Sequence, residues 1–100
     1  MELMDLNPLE GKYTEQSEFL KAIAHPVRLC ILNGLKGKAG CNVNHMQECL
    51  SLPQSTISTH LAVLRSVGAI SSRREGKEVR YSVENDRVIK IIELLGEEDL

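Results

Sequence analysis

Ser51-Leu52-Pro53-Gln54-Ser55-Thr56-Ile57-Ser58-Thr59-His60-Leu61-Ala62-Val63-Leu64-Arg65-Ser66-Val67-Gly68 is the stretch on which the fold of this chain turns. Ser51-Leu52-Pro53 reads as a tight turn, with Ser51 as the N-cap of the helix that follows and Pro53 at an early helical position. The helix runs to about Val67, and Gly68 ends it. At ~100° per residue, Ile57, Leu61 and Leu64 fall on one side, and Ser55, Thr59, Ala62 and Ser66 on the other. The outer side is small and polar, with no bulky residue to hold it off a surface, which is the shape a major groove admits.

Working upstream, Asn44 is positioned to cap a short helix through Leu50. Two short helices joined by a tight turn make a helix-turn-helix. Before it, Thr14 is the expected N-cap of a first helix reaching Ala24, with Phe19, Leu20 and Ile23 as its apolar stripe. His25-Pro26 breaks that helix, and Pro26 suits the first turn of the next. Val27, Leu29, Ile31, Leu32 and Leu35 fill the second helix, and Gly34, Gly37 and Gly40 mark its end and a loop. Asn7-Pro8 and Gly11 are turn signals, so residues 1–12 are expected to form a loosely held arm and residues 13–100 the folded domain.

Downstream, Val79, Tyr81 and Val83 alternate with Glu78, Arg80 and Ser82, the pattern of a half-buried strand. With Ser71-Ser72-Arg73-Arg74 before it and Glu75-Gly76 as the expected turn, this is a basic hairpin following directly on a helix that has the shape to read DNA, that is, a wing. Asn85 or Asp86 caps a fifth helix through about Leu95. Val88, Ile89, Ile91, Ile92, Leu94 and Leu95 make it apolar on more than one face, so it needs a second surface to cover it, and a twin subunit is the simplest. The expected fold is mainly α with a small β-hairpin: a winged helix-turn-helix of five helices plus a wing.

The bulk numbers fit one small domain. The chain has 100 residues, of which 26% are charged and 42% hydrophobic, as in an ordinary globular protein. A monomer this short buries only part of its apolar surface, which favours pooling cores in a dimer. No apolar run approaches the ~18–20 residues of a membrane span, and Met1-Glu2-Leu3-Met4-Asp5 lacks the basic start of a signal peptide. A cytoplasmic location is expected, where Cys30, Cys41 and Cys49 stay reduced.

The net charge of −2 is unusual for a DNA binder, but it is unevenly spread. Residues 51–83 carry Arg65, Arg73, Arg74, Lys77 and Arg80 against Glu75 and Glu78. Residues 84–100 carry Arg87 and Lys90 against Glu84, Asp86, Glu93, Glu97, Glu98 and Asp99. The first 25 residues are acidic as well. A basic middle between acidic ends still offers one surface to phosphate.

With these elements in place, the sequence resembles the ArsR/SmtB family of bacterial winged-helix repressors from about Phe19 to Val83. Leu20-Lys21-Ala22-Ile23-Ala24-His25-Pro26-Val27-Arg28-Leu29 is similar to the family's opening segment. Pro53 through Arg65 is similar to its recognition helix. Gly68-Ala69-Ile70 and Arg73 through Lys77, continuing to Tyr81-Ser82, are similar to its wing. The resemblance implies a homodimer built from the first and last helices, a palindromic operator, and repression relieved by a signal whose identity the sequence does not give.

The candidate DNA contacts are Gln54, Ser55, Thr56, Ser58, Thr59, His60 and Arg65 on the recognition helix, with Arg73, Arg74 and Lys77 on the wing. Short hydroxyls and an amide reach base edges or phosphates, and the cations reach phosphates or the minor groove. The alternative for the helix is that its serines act as caps and the rest face water; for the hairpin, it is a solvated charged face. His60 lies between the outer face and the core, open to either a buried hydrogen bond or a phosphate contact. Arg65 serves either phosphate or the exposed carbonyls at the helix end. Arg80 has a carboxylate as its alternative partner. Phe19, Leu20, Val88, Ile91, Ile92 and Leu95 are the candidate dimer interface.

Cys41, His45 and Cys49 are spaced i, i+4, i+8, and thiolates with an imidazole are soft-metal ligands. Cys41 precedes the expected cap, however, and Cys49 fills an apolar slot beside Leu50. The Cys-x-Cys typical of the family's metal sensors in this region does not occur, nor does a His in the last helix. The resemblance therefore points to a metal-independent member without a cofactor. Cys30, Cys41 and Cys49 remain candidates for a thiol switch. Beside the leading reading, a sequence-specific repressor, stand a thiol- or metal-responsive sensor repressor and a winged-helix protein-interaction module without DNA binding. No phosphate loop or nucleophile–base constellation marks an enzyme.

Overall fold

The structure, a computed structural model, describes residues 10–37 and 40–96. Its elements run α1 (Gly11–Ile23), α2 (Pro26–Leu35), α3 (Val43–Leu50), α4 (Gln54–Ser66), β1 (Ser71–Glu75), β2 (Glu78–Ser82) and α5 (Asp86–Gly96). The expected winged helix-turn-helix, with five helices and a two-stranded hairpin, is present. Of the expected arm over residues 1–12, Gly11 and Lys12 belong to α1, and residues 1–9 lie outside the described residues.

Several helix ends differ from expectation by a few residues. α1 starts from Glu10 in an extended conformation, and Thr14 sits inside the first turn, its hydroxyl donating back to the Glu10 carbonyl at 3.5 Å. α2 is capped by His25, whose Nδ1 accepts from the Val27 N–H at 3.1 Å, and Pro26 occupies the first helical position, where a missing N–H costs nothing. α3 is capped by Asn42, two residues before the expected Asn44: its Oδ1 accepts from the His45 N–H at 2.8 Å.

Ser51 ends α3 rather than starting α4. It adopts the left-handed conformation with φ 55° and donates its N–H to Gln47. Pro53 then holds the N-cap position of α4 without a side-chain cap. At the far end of α4, Gly68 has φ 73°. Its N–H bonds the Arg65 carbonyl at 3.0 Å, and Ala69 N–H bonds Leu64 at 2.9 Å, the paired bonds of a Schellman stop.

The hairpin pairs Ser71 with Ser82 and Glu75 with Glu78. Its two-residue turn is therefore Gly76-Lys77, one residue later than expected, with Gly76 at φ 64° in the first central position, as a type II′ turn requires. Asn85 caps α5 by accepting from the Arg87 and Val88 N–H groups, while its Nδ2 donates to the Gly68 carbonyl at 2.9 Å. One side chain thus ties the start of α5 to the end of α4.

The core gathers Leu32 and Leu35 of α2, Met46 of α3, Ile57, Leu61 and Leu64 of α4, and Val88 and Ile92 of α5. The predicted inner face of α4 is fully used: Ile57, Leu61 and Leu64 are at most 1% exposed. Val88 and Ile92, expected at a subunit interface, are instead 0% and 4% exposed within the protomer, so core packing already consumes their surface. Leu20 (55% exposed) and Leu95 (51%) remain outside, and Phe19 and Ile91 are half-buried. Phe19, Leu20 and Ile91 border a groove of about 910 Å³ between α1, the end of α4 and α5. Among the described residues no helix is long and apolar enough to cross a membrane.

Candidate nucleic-acid interface

α3 packs against α4, and the core clamps α4 along its inner row, which leaves its opposite row outward. Gln54, Ser55, Ser58, Thr59, Ala62, Arg65 and Ser66 are all exposed, and Thr56 is half-buried. Thr59 donates its hydroxyl to the Ser55 carbonyl at 2.9 Å and Ser66 donates to Val63 at 2.6 Å. With their protons committed to the backbone, those two hydroxyls have only acceptor capacity left for an outside partner. With no side-chain cap on α4, its first-turn N–H groups stay open to an external acceptor such as a phosphate oxygen.

His60 makes a part-buried hydrogen bond with Arg28. Arg28 of α2 donates from Nε to His60 Nδ1 at 3.1 Å and from Nη1 to the Ala22 carbonyl of α1 at 3.1 Å. The His60 ring also lies 4.6 Å from that of His25. Burial, then the charges of His25 and Arg28, hold the His60 pKa below its ordinary value. A neutral ring accepting at Nδ1 keeps its proton on Nε2. Arg28 thus joins α1, α2 and α4, a role that sequence reasoning missed because nothing local to Arg28 signals a partner 32 positions away.

On the wing, Arg73 and Arg80 sit directly opposite each other, a repulsive pairing. Glu75 offsets it, with Oε2 2.8 Å from Arg73 and Oε1 3.5 Å from Arg80. Arg80 is thereby assigned to a carboxylate, and Arg73 is partly neutralised while still 71% exposed at its side chain. Arg74 and Lys77 are exposed and make no ion pair among the described residues, so they and Arg65 carry the uncompensated charge. The wing is braced from behind. Cys41 and Tyr81 exchange backbone hydrogen bonds at 3.0 and 2.8 Å, and Asn42 Nδ2 donates to Glu78 at 3.1 Å. Gly40 holds the loop beside Arg80 at φ 141°, a backbone conformation that L side chains rarely adopt.

The same bracing decides the cysteines. Cys41 is buried ahead of α3, with its thiol 3.7 Å from the Asn42 carbonyl, and it lines one cleft with His45 and Cys49. Among the described residues no group of three His, Cys, Asp or Glu side chains is placed to hold a metal ion. His45 and Cys49 do meet, with Nε2 3.6 Å from Sγ.

A recognition helix with a small polar outer row, set in a helix-turn-helix and followed by a cationic hairpin, defines a DNA-binding winged-helix protein. Residues 23–73 match the family model of a helix-turn-helix domain. The transcriptional repressor PagR of Bacillus anthracis is 42% identical over 82 residues, covering 82% of each chain. Its crystal structure superposes with a TM-score of 0.76, covering 84% of this chain and 95% of that one at 40% identity. Reduced HlyU from Vibrio cholerae gives a TM-score of 0.82 at 35% identity, over 92% and 96% of the two chains. The chain also matches the HTH-type transcriptional repressor SmtB of Mycobacterium tuberculosis, at 33% identity over 75% of this chain and 55% of that protein. The chain belongs to the ArsR/SmtB family of winged-helix repressors, a family of transcriptional regulators rather than enzymes. Its function is regulation of transcription through DNA binding.

Proposed function

We propose that the chain acts in the cytoplasm as a homodimeric repressor that sets two copies of α4 into successive major grooves of a palindromic operator. The observation that carries this reading is the division of α4 into a fully buried apolar row and an exposed row of serines, Thr59 and Ala62. In this reading Gln54, Ser55, Ser58 and Thr59 read base edges, the open first turn and Arg65 hold phosphate, and Arg74 and Lys77 of the wing grip the flanking backbone or minor groove. His60 acts through Arg28 as a positioning residue. Exposed Leu20 and Leu95, with half-buried Phe19 and Ile91, form the surface that a second subunit covers. Two-fold symmetry then spaces the recognition helices about one DNA turn, ~34 Å, apart.

Selection of bound duplexes from a random library, followed by fluorescence anisotropy on the winners, tests the proposal. The expected winners are inverted repeats whose half-sites lie one helical turn apart. Their affinity should fall steeply with salt, and Lys77→Glu should weaken binding and reduce the salt slope by about 0.9 for each phosphate it leaves unneutralised. Failure to enrich any duplex overturns the proposal and favours the protein-interaction reading, to which the net charge of −2 lends support.

A further inference from the structure

We propose that Cys49 is a modification site for small soft electrophiles of the α,β-unsaturated carbonyl class, with His45 as its base. A cleft of about 130 Å³ between α2 and α3 is bordered by Cys30 and Leu35 on one side and by His45, Met46, Cys49 and Leu50 on the other. It has apolar walls and a thiol–imidazole pair at its edge, which suits a molecule of a few heavy atoms with a hydrocarbon body and one electrophilic carbon. A metal ion is a poorer fit, since no third ligand joins the pair among the described residues.

Helical spacing makes the pair. His45 and Cys49 are four residues apart on α3, hence on one face, with Nε2 3.6 Å from Sγ. Cys30 borders the same cleft and is also exposed, but among the described residues it makes no hydrogen bond to an imidazole. The thiolate is the reactive form of cysteine, so a base within reach of the thiol activates Cys49 and leaves Cys30 at its basal reactivity. In the step, Cys49 Sγ bonds to the β-carbon of the electrophile, and the C=C electron pair moves onto the α-carbon and carbonyl as an enolate. The thiol proton passes to His45 Nε2 and from there to the α-carbon. The net change is addition of S–H across the double bond, with no oxidant, reductant or leaving group.

The consequence for regulation rests on the DNA-binding reading above. α3 leads through Ser51-Leu52-Pro53 directly into α4, so an adduct wedged between α2 and α3 displaces the recognition helix with α3. Two recognition helices that must fit one palindrome tolerate little such displacement.

Methyl vinyl ketone at pH 7 is the probe, with intact mass and peptide mapping followed over time. Cys49 should be labelled at least tenfold faster than Cys30, and His45→Gln should bring its rate down to that of Cys30. Equal rates at the two cysteines, or a Cys49 rate unmoved by His45→Gln, overturn the assignment; far-UV circular dichroism of the variant controls for folding. Labelled wild type should bind its selected duplex at least tenfold more weakly than identically treated Cys49→Ser, and unchanged affinity overturns the regulatory role. Labelling is read by mass alone, so a protein that binds no duplex before treatment refutes the DNA-binding reading without touching the modification result.

Discussion

Replacing Arg28 with Met keeps the aliphatic stem and deletes the guanidinium that joins α1, α2 and α4. Two hydrogen bonds disappear, to His60 Nδ1 and to the Ala22 carbonyl, each 3.1 Å long. A hydrogen bond to a charged group contributes ~1.5–3 kcal/mol. Both are part-buried, which places each near the lower end, so Arg28→Met should cost about 3 kcal/mol. That is a large fraction of the roughly 5–15 kcal/mol a small domain commands. The pH dependence gives a second reading of the same cluster. Burial, His25 and Arg28 hold the His60 pKa below 6.5. As pH falls through 6.5 the unfolded chain takes up a proton that the folded chain refuses, so stability drops. The slope is at most about 1.4 kcal/mol per pH unit for one proton, and solvent screening reduces it. It flattens once the folded pKa is reached, and above 6.5 His60 contributes no slope. Urea denaturation followed by circular dichroism, at one fixed protein concentration because dimerisation shifts apparent stability, measures both effects. A cost below about 0.5 kcal/mol for Arg28→Met at pH 8 would refute the reasoning. So would a His60→Asn protein that keeps the wild-type loss of stability between pH 7 and pH 5.5.

Three further outcomes are expected. In the proposed dimer, Leu20→Asp places a charge on the exposed part of the α1 surface and should convert dimer to monomer by analytical ultracentrifugation, with DNA affinity abolished alongside; an unchanged dimer would remove α1 from the proposed interface. Asn42→Ala removes the cap of α3 and the tie to Glu78, and should cost at least ~1 kcal/mol in urea denaturation, against near neutrality for Asn44→Ala, which caps nothing. Leu32→Ala opens a cavity at a position that is 0% exposed and should cost roughly 2–5 kcal/mol; a thermal melt that shifts by only a degree or two would contradict the packing described.

The sequence by itself determined the features whose causes lie within a few residues of each other. The 3.6-residue period of Ile57, Leu61 and Leu64 defined the inner face of α4 and therefore its small polar outer face. Pro26 and Gly68 marked helix ends through φ preference and a missing donor, and alternation at Val79, Tyr81 and Val83 marked the wing. Where local rules competed, the boundaries moved: Asn42 and Asn44 are both good caps, and Ser51 could equally end one helix or begin the next. Tertiary structure decided what depends on distant partners. It sent Val88 and Ile92 into the protomer core while leaving Leu20 and Leu95 outside, a division that helical periodicity cannot make when several faces of α5 are apolar. It set Glu75 between two opposed arginines, leaving the wing's uncompensated charge on Arg74 and Lys77. It buried Cys41 by pairing its backbone with Tyr81, and set His60 against Arg28. The Arg28–His60 and Cys41–Tyr81 contacts join residues 32 and 40 positions apart, and only packing of the whole chain brings such groups within hydrogen-bonding range.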